Sequence, residues 1–229
     1  MSVLPPIVLG TRNRKKGLEL AELLGPLGIR FATLADFPEA IEVVESGQTF
    51  ADNAGLKAVE QARHLSQWVL GEDSGLSVDA LGDRSSLGRP GVYSARYAGE
   101  NATDEQNNDK VLAELAGVPL EKRTAFYTCH MTLADPEGNV RLEAEDYCRG
   151  RIRFERSGSG GFGYDPLFEV VEYHRTFGEL SAAVKSCLSH RARALRRFAA
   201  ELEALLARGE LFAADANRLQ TKPSPATNR

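Results

Sequence analysis

The chain has 229 residues, 42% hydrophobic and 26% charged, the proportions of an ordinary globular protein. Its formal net charge of −4 argues against a nucleic-acid polymer as partner, because such binders carry a basic face. No apolar run reaches membrane-spanning length and Met1 to Pro6 lack a signal peptide's positive flank, so no membrane partner is expected. Cys129, Cys148 and Cys187 are far apart and odd in number, and read as reduced, mostly buried thiols of a cytoplasmic protein.

Ile7-Val8-Leu9-Gly10 reads as a short buried strand, and a polar loop from Thr11 to Lys16 leads into an amphipathic helix carrying Leu18, Leu20, Leu23 and Leu24. Gly25-Pro26 and Gly28 stop that helix, and Ile29 to Thr33 returns as a strand. This β-loop-α-β opening implies a partly parallel sheet. Ile41 to Glu45 reads as a further strand, and Thr49 is placed to cap a helix over 50–66. Trp68-Val69-Leu70 reads as a strand that ends at Glu72-Asp73-Ser74-Gly75, two acids before a small-residue turn. After Leu76-Ser77-Val78, residues 82–91 form a Gly/Pro-rich loop in which 83–86 have the look of an insertion.

Thr103 to Leu115 reads as a helix with Thr103 as its cap and Gly117-Val118-Pro119 as its stop. Two long strands, Arg123 to Ala134 and Val140 to Arg149, flank a strong turn at Asp135 to Asn139 and suggest a second lobe. Ser157 to Gly163 is a glycine-rich loop. The last helix begins at Ser189-His190 and carries Ala194, Leu195, Phe198, Leu202 and Leu205 at helical spacing. Residues 1–213 are therefore expected to form one two-lobed α/β domain, and 214–229 a disordered polar tail.

Several groups of residues suit phosphate chemistry. Adjacent strand residues point to opposite faces, so of Glu72 and Asp73 one enters a cleft while the other anchors from behind or bends in beside it. Carboxylates in such a place suit Mg²⁺, although an Asx-type turn capping a strand end explains the same residues. Glu45 is a candidate third carboxylate or a plain surface acid. Thr11, Asn13, Lys15 and Lys16 precede a helix whose free N–H groups and dipole suit phosphate, and the pattern is not a Walker loop. Lys57 faces either the phosphates or water. In Gly158 to Pro166, Phe162 between glycines either stacks on a flat ligand or tucks back into the core, and Asp165 is a candidate acceptor for a purine edge. Lys185 with Ser189-His190-Arg191 makes a donor-rich spot at a helix start. His64, His130 and His174 are read as structural, and no metal-ligand spacing or acyl-enzyme motif is present.

In this order, Thr11-Arg12-Asn13 with Lys16 and Glu19, Glu45-Ser46-Gly47-Gln48-Thr49-Phe50, Asn53-Ala54 with Lys57-Ala58, Asp73-Ser74-Gly75-Leu76, Pro90 to Tyr97, Gly161 to Pro166 and Ser189-His190-Arg191 resemble the inosine triphosphate pyrophosphatase family. The resemblance spans roughly residues 7 to 205. It implies an elongated α/β fold with two lobes, a twisted mixed sheet, flanking helices and a central cleft. It implies a Mg²⁺-dependent homodimer that hydrolyses ITP, dITP and XTP to the monophosphate and pyrophosphate. Thr11, Arg12, Asn13, Arg14, Lys15 and Lys16 would then hold the triphosphate, with Lys57 beside them. Asp73 would be proton acceptor and metal ligand, Glu45 a second metal-side acid, and Ser74 a substrate contact. Phe162 would stack on the base, Gly163, Tyr164 and Asp165 would complete the pocket, and Lys185, His190 and Arg191 would read the base edge. The family's usual first acid is Asp, so Glu72 in its place leaves the division of metal-binding roles between Glu72 and Asp73 open. The alternatives are a septum-formation-inhibitor-type pyrophosphatase for modified pyrimidine nucleotides and a non-hydrolysing nucleotide-binding protein.

Overall fold

The structure is a computed structural model that describes residues 6–25, 28–82 and 88–211. The expected insertion, at 83–86, and the expected tail, at 214–229, lie outside the described residues, as do the side chains of Arg14 and Leu23.

The opening is the expected β-loop-α-β unit: β1 (Ile7–Leu9), α1 (Arg14–Leu24) and β2 (Phe31–Thr33), with β1 and β2 parallel. β2 is two residues shorter than Ile29 to Thr33 suggests. Helix α2 (Phe50–Leu65) starts at a capping box, in which the Thr49 hydroxyl accepts from Asp52 N and the Asp52 carboxylate accepts from Thr49 N. It leads into β3 (Trp68–Val78), which is followed by the short β4 (Arg89–Pro90), then α3 (Asp104–Glu114), capped by Thr103. The long hairpin is β5 (Thr124–Ala134) and β6 (Val140–Ile152), with β7 (Phe168–Val170) and β8 (Arg175–Thr176) completing an eight-stranded sheet of order β2-β1-β3-β5-β6-β7-β8. Helix α4 (Ala182–Leu188) meets α5 (His190–Ala207) at Ser189, whose hydroxyl caps α5 by accepting from Ala192 N.

The pairing of β3 positions everything that follows. One of its edges is taken by β5 from Val69 to Val78. Its other edge is shared by β1, parallel along Trp68 to Leu70, and β4, antiparallel at Ser77 and Val78. Between them, residues 71–76 have no strand partner on that edge among the described residues, and a gap opens in the sheet. The apolar cores divide at the same place. Trp68 and Leu70 pack with α1 and α5, whereas Leu76 and Val78 pack with Val111, Leu115, Tyr127 and Phe168. A third cluster joins Val8 and Val69 to Ala58 and Ala62 of α2. The long strands β3 and β5 thus run through both lobes, and the cleft crosses them at Glu72 to Gly75.

Two expectations are corrected here. Glu72-Asp73-Ser74-Gly75 is not a strand end followed by a turn but the middle of β3, because β5 offers an uninterrupted ladder. Its glycines serve close packing instead: a Cβ on Gly71 would overlap the Ala54 carbonyl oxygen and lie 2.7 Å from Ala58 N. Ile41 to Glu45 is not a strand. At its start, side chains take the place of a neighbouring strand: Arg12 Nη2 donates to Ala40 O (2.9 Å) and Ile41 O (3.3 Å), and Gln61 Nε2 also donates to Ile41 O. Of the three free cysteines, Cys129 and Cys148 are buried as expected and Cys187 is exposed.

Candidate active site

β1 delivers the chain to the cleft, and the loop beyond it folds on its own polar groups. Thr11 Oγ1 accepts from Asn13 N (3.1 Å), and Asn13 Oδ1 caps α1 by accepting from Lys15 N (3.0 Å) and Lys16 N (3.2 Å). The Asn13 oxygen is thereby used inside the loop, and the positive end of α1 faces the cleft. Lys15 leans towards Phe162, its Nζ 5.5 Å from the ring centroid. Arg12 mainly fastens the 40–41 segment, and the Arg14 side chain lies outside the described residues.

Opposite this loop, the outward face of β3 presents Asp73 to α2. Asp73 Oδ1 lies 2.9 Å from Lys57 Nζ, and Oδ2 accepts from Asn53 Nδ2 at 3.2 Å. Asn53 Oδ1 in turn accepts from Gly47 N at 2.8 Å, which ties the strand-less 45–47 segment to the acid. Lys57 Nζ also pairs with Glu45 Oε2 at 3.0 Å. Burial raises the Asp73 pKa above its ordinary value while Lys57 opposes that rise, and Asp73 and Glu45 hold the Lys57 ammonium above its own despite burial. Two carboxylates therefore converge on one positively charged point. Their all-oxygen donor set fits a hard divalent cation. No group of three His, Cys, Asp or Glu side chains with metal-binding geometry occurs among the described residues, so Mg²⁺ here would take its remaining ligands from phosphate and water, its usual habit.

Glu72 points to the opposite face and is fully buried. Its Oε1 accepts from Arg191 Nη2 at 3.1 Å, and its Oε2 lies 3.0 Å from Lys16 Nζ. Burial disfavours its charge, yet Lys16 and Arg191 hold its pKa well below the ordinary glutamate value. Oε1 is hydrogen-bonded to Arg191, whereas Oε2 faces Lys16 by charge without a hydrogen-bond partner among the described residues, and Glu72 lines neither cavity of the cleft.

The second half of the cleft is a smaller pocket of about 120 Å³ beneath the glycine-rich loop. Gly161 (φ 74°) and Gly163 (φ 63°) take left-handed conformations that fold 161–165 around the Asp165 carboxylate. Asp165 Oδ2 accepts from Phe162 N (2.8 Å) and Lys185 Nζ (2.7 Å), so this oxygen shapes the loop and is not free for a ligand's edge. Burial nevertheless raises the Asp165 pKa, against Lys185. Gly163 N donates to Asp104 Oδ2, Asn108 Nδ2 donates to Gly163 O, and Tyr164 OH donates to Ser94 O, which clamp the loop from the α3 side. Phe162 lines the pocket half-buried and belongs to none of the apolar cores, with Lys185 Nζ 4.7 Å from its ring centroid.

The start of α5 closes the pocket floor. His190 is stacked on Tyr127, centroids 4.6 Å apart and planes 10° from parallel. Burial, helped by Arg191, lowers its pKa well below the usual histidine value and keeps the ring neutral. Arg191 is buried, with Nη1 on Glu19 Oε2 (2.6 Å) and Nη2 on Glu72 and on Ser74 Oγ (3.0 Å). Its fork is mostly spent on the protein, contrary to a simple base-reading role. His190 Nδ1 and Arg191 Nε are buried atoms with no hydrogen-bond partner.

A wider cavity of about 330 Å³ holds Glu45, Lys57 and Asp73 and shares Asn13, Lys16, Ser74 and Ala95 with the smaller pocket. Most of the candidates thus fall into one continuous cleft, but Lys15 and Glu72 line neither of its cavities. Sequence reasoning assigned no role to Asn53, Glu19, Ser94, Asp104 or Tyr127. Asn53 and Glu19 lay inside the motif segments, but Tyr127 is one apolar-face residue of a strand and carried no signal.

The Ham1 family's sequence model matches residues 7–201. The dITP/XTP pyrophosphatase of Rhodopirellula baltica is 57% identical over 196 residues, 86% of this chain and 92% of that one. The dITP/XTP pyrophosphatase of Desulforamulus reducens is 49% identical over 191 residues, 83% and 92% respectively. Among solved structures, a HAM1 protein from Coxiella burnetii is 37% identical with a TM-score of 0.79, covering 88% of this chain and 100% of that one. The Staphylococcus aureus Ham1 protein is 34% identical with a TM-score of 0.77, covering 87% and 98%.

Proposed function

Since this chain belongs to the Ham1 family, we propose that it hydrolyses the non-standard purine nucleoside triphosphates ITP, dITP and XTP to the monophosphate and pyrophosphate. The observation that carries the reading is the joined cleft: a small pocket lined by Phe162, His190 and Arg191 opens, through Asn13, Lys16 and Ser74, into a wider cavity lined by acids and lysines. The pyrimidine-nucleotide and non-hydrolysing alternatives are set aside on the family match.

The base slides against Phe162, and its 6-oxo group meets buried donors at the start of α5. Neutral His190 carries one N–H, and Arg191 Nε–H has no other partner. Adenine presents an amino donor there and leaves those groups unpaired, at about 1–3 kcal/mol each. The triphosphate extends over the α1 N-terminus and Lys16. Asp73 accepts a proton from water as the water oxygen bonds to the α-phosphorus and the bond from the α-phosphorus to the bridging oxygen breaks. Its burial makes it a stronger base than an ordinary aspartate, while Lys57 holds it in place. Mg²⁺, held by Glu45 and Asp73, would supply neutralisation of charge on the leaving pyrophosphate. Magnesium dependence, a cytoplasmic location and the homodimer are parts of this proposal. The first has its support in the converging carboxylates, the second in the free thiols, and the third in the family resemblance. Among the described residues, no helix is long and apolar enough to cross a membrane.

The test is pyrophosphate release from ITP, dITP, XTP, GTP, ATP and dTTP with Mg²⁺. The three non-standard purines are expected to lead ATP by at least tenfold in kcat/KM, the contact to the 6-oxo group being the one that ATP lacks. Equal rates across the six would overturn the reading.

A further inference from the structure

One buried carboxylate touches both halves of the cleft. Glu72 is 1% exposed, and its two oxygens hold cations that serve different ends of the ligand. Oε2 is 3.0 Å from Lys16 Nζ, on the phosphate side, and Oε1 is 3.1 Å from Arg191 Nη2, at the base end. Lys16 lines both cavities, whereas Arg191 lines only the smaller one. We propose that Glu72 is a positioning residue that couples the base pocket to the phosphate cavity, by dividing one buried negative charge between Lys16 and Arg191.

The physical basis is competition for that charge. Away from water the carboxylate's interactions are weakly screened, so whichever cation stays is held more strongly when the other leaves. Phosphate arriving at Lys16 draws the ammonium off Oε2 and leaves Glu72 to Arg191, which fixes the guanidinium, and with it Nε, against the base. Conversely, an Arg191 displaced by an ill-fitting base returns Glu72 to Lys16 and holds that lysine back from phosphate. Such coupling is reciprocal. Glu19 and Ser74 also hold Arg191, whereas Glu72 is paired with both Arg191 and Lys16.

This inference rests on the assignment of the two cavities to base and phosphate, and its test uses a ligand with no base. Inorganic pyrophosphate is titrated calorimetrically, with Mg²⁺, into wild type, Arg191→Gln, Glu72→Gln and the double variant. Arg191→Gln is expected to weaken pyrophosphate binding at least fivefold when Glu72 is present and less than twofold when it is Gln. Equal weakening in both backgrounds would mean a plain loss of positive charge and would overturn the proposal. Should the buried variants not fold, the Arg191 Nε–H resonance of the wild type decides. It is expected to shift on adding pyrophosphate, and to stay still in Lys16→Met. A resonance that never moves, or that moves equally in Lys16→Met, overturns the coupling. Failure of wild type to turn over ITP would sink the proposed function but leaves these readouts intact; failure of pyrophosphate to bind at all would sink both.

Discussion

Asp73→Asn keeps the shape of a side chain that two donors approach, Lys57 Nζ at 2.9 Å from Oδ1 and Asn53 Nδ2 at 3.2 Å from Oδ2. An asparagine oxygen can accept from only one of them, and its amide then confronts the other. The lost pairing costs about 1–3 kcal/mol of stability, offset in part because no carboxylate has to be desolvated. The folded state should therefore survive, with a melting temperature within a few degrees of wild type. Chemistry suffers more. Removing a proton acceptor costs roughly 10²- to 10⁴-fold in kcat, or about 3–5 kcal/mol of barrier. The assay is pyrophosphate release from ITP at saturating substrate across a Mg²⁺ titration, with circular-dichroism melting as the control. A kcat within about threefold of wild type would refute the assignment of Asp73 as base. Restoration by excess Mg²⁺ alone would refute it too, and would make Asp73 only a metal holder.

Two other outcomes follow from the same geometry. Phe162→Ala should raise KM for ITP roughly five- to 100-fold with kcat changed far less, since stacking contributes about 1–3 kcal/mol per base; steady-state kinetics showing an unchanged KM would remove the ring from the site. His190 is held neutral when folded but titrates near 6.5 in the unfolded chain, which therefore binds more protons as pH falls below that value. Stability is thus expected to decline from about pH 6.5 downward, with a slope from this residue of up to about 1.4 kcal/mol per pH unit. Glu72, whose folded pKa is depressed, adds a further loss below about pH 4.5. Urea unfolding of wild type and His190→Gln between pH 7.5 and 5.5 checks the histidine contribution, and parallel slopes in the two proteins would contradict it.

Local chemistry made much of this protein legible from its sequence. The capped helices at Thr49 and Thr103 and the long hairpin about Asp135 to Asn139 stand where the sequence puts them, because caps and turns are decided by neighbours within a few residues. The motif segments identified the family and drew attention to Asp73, Lys57, Phe162 and His190. What the sequence left open is what distant residues decide. Whether Glu72-Asp73-Ser74-Gly75 ends a strand depends on β5, more than 50 residues away, which carries β3 straight through. Among the described residues Ile41 to Glu45 pairs with no strand, and the Ile41 carbonyl is met instead by the distant side chains of Arg12 and Gln61. Two adjacent acids look equivalent in a sequence; alternation along β3 sends Asp73 to Lys57 and Asn53 and buries Glu72 between Lys16 and Arg191. The sequence determined that the cleft has acids, cations and an aromatic loop. Only the tertiary structure decided which acid lines the cavity and which is buried behind it, because that depends on cations brought from residues 16 and 191 to the same buried point.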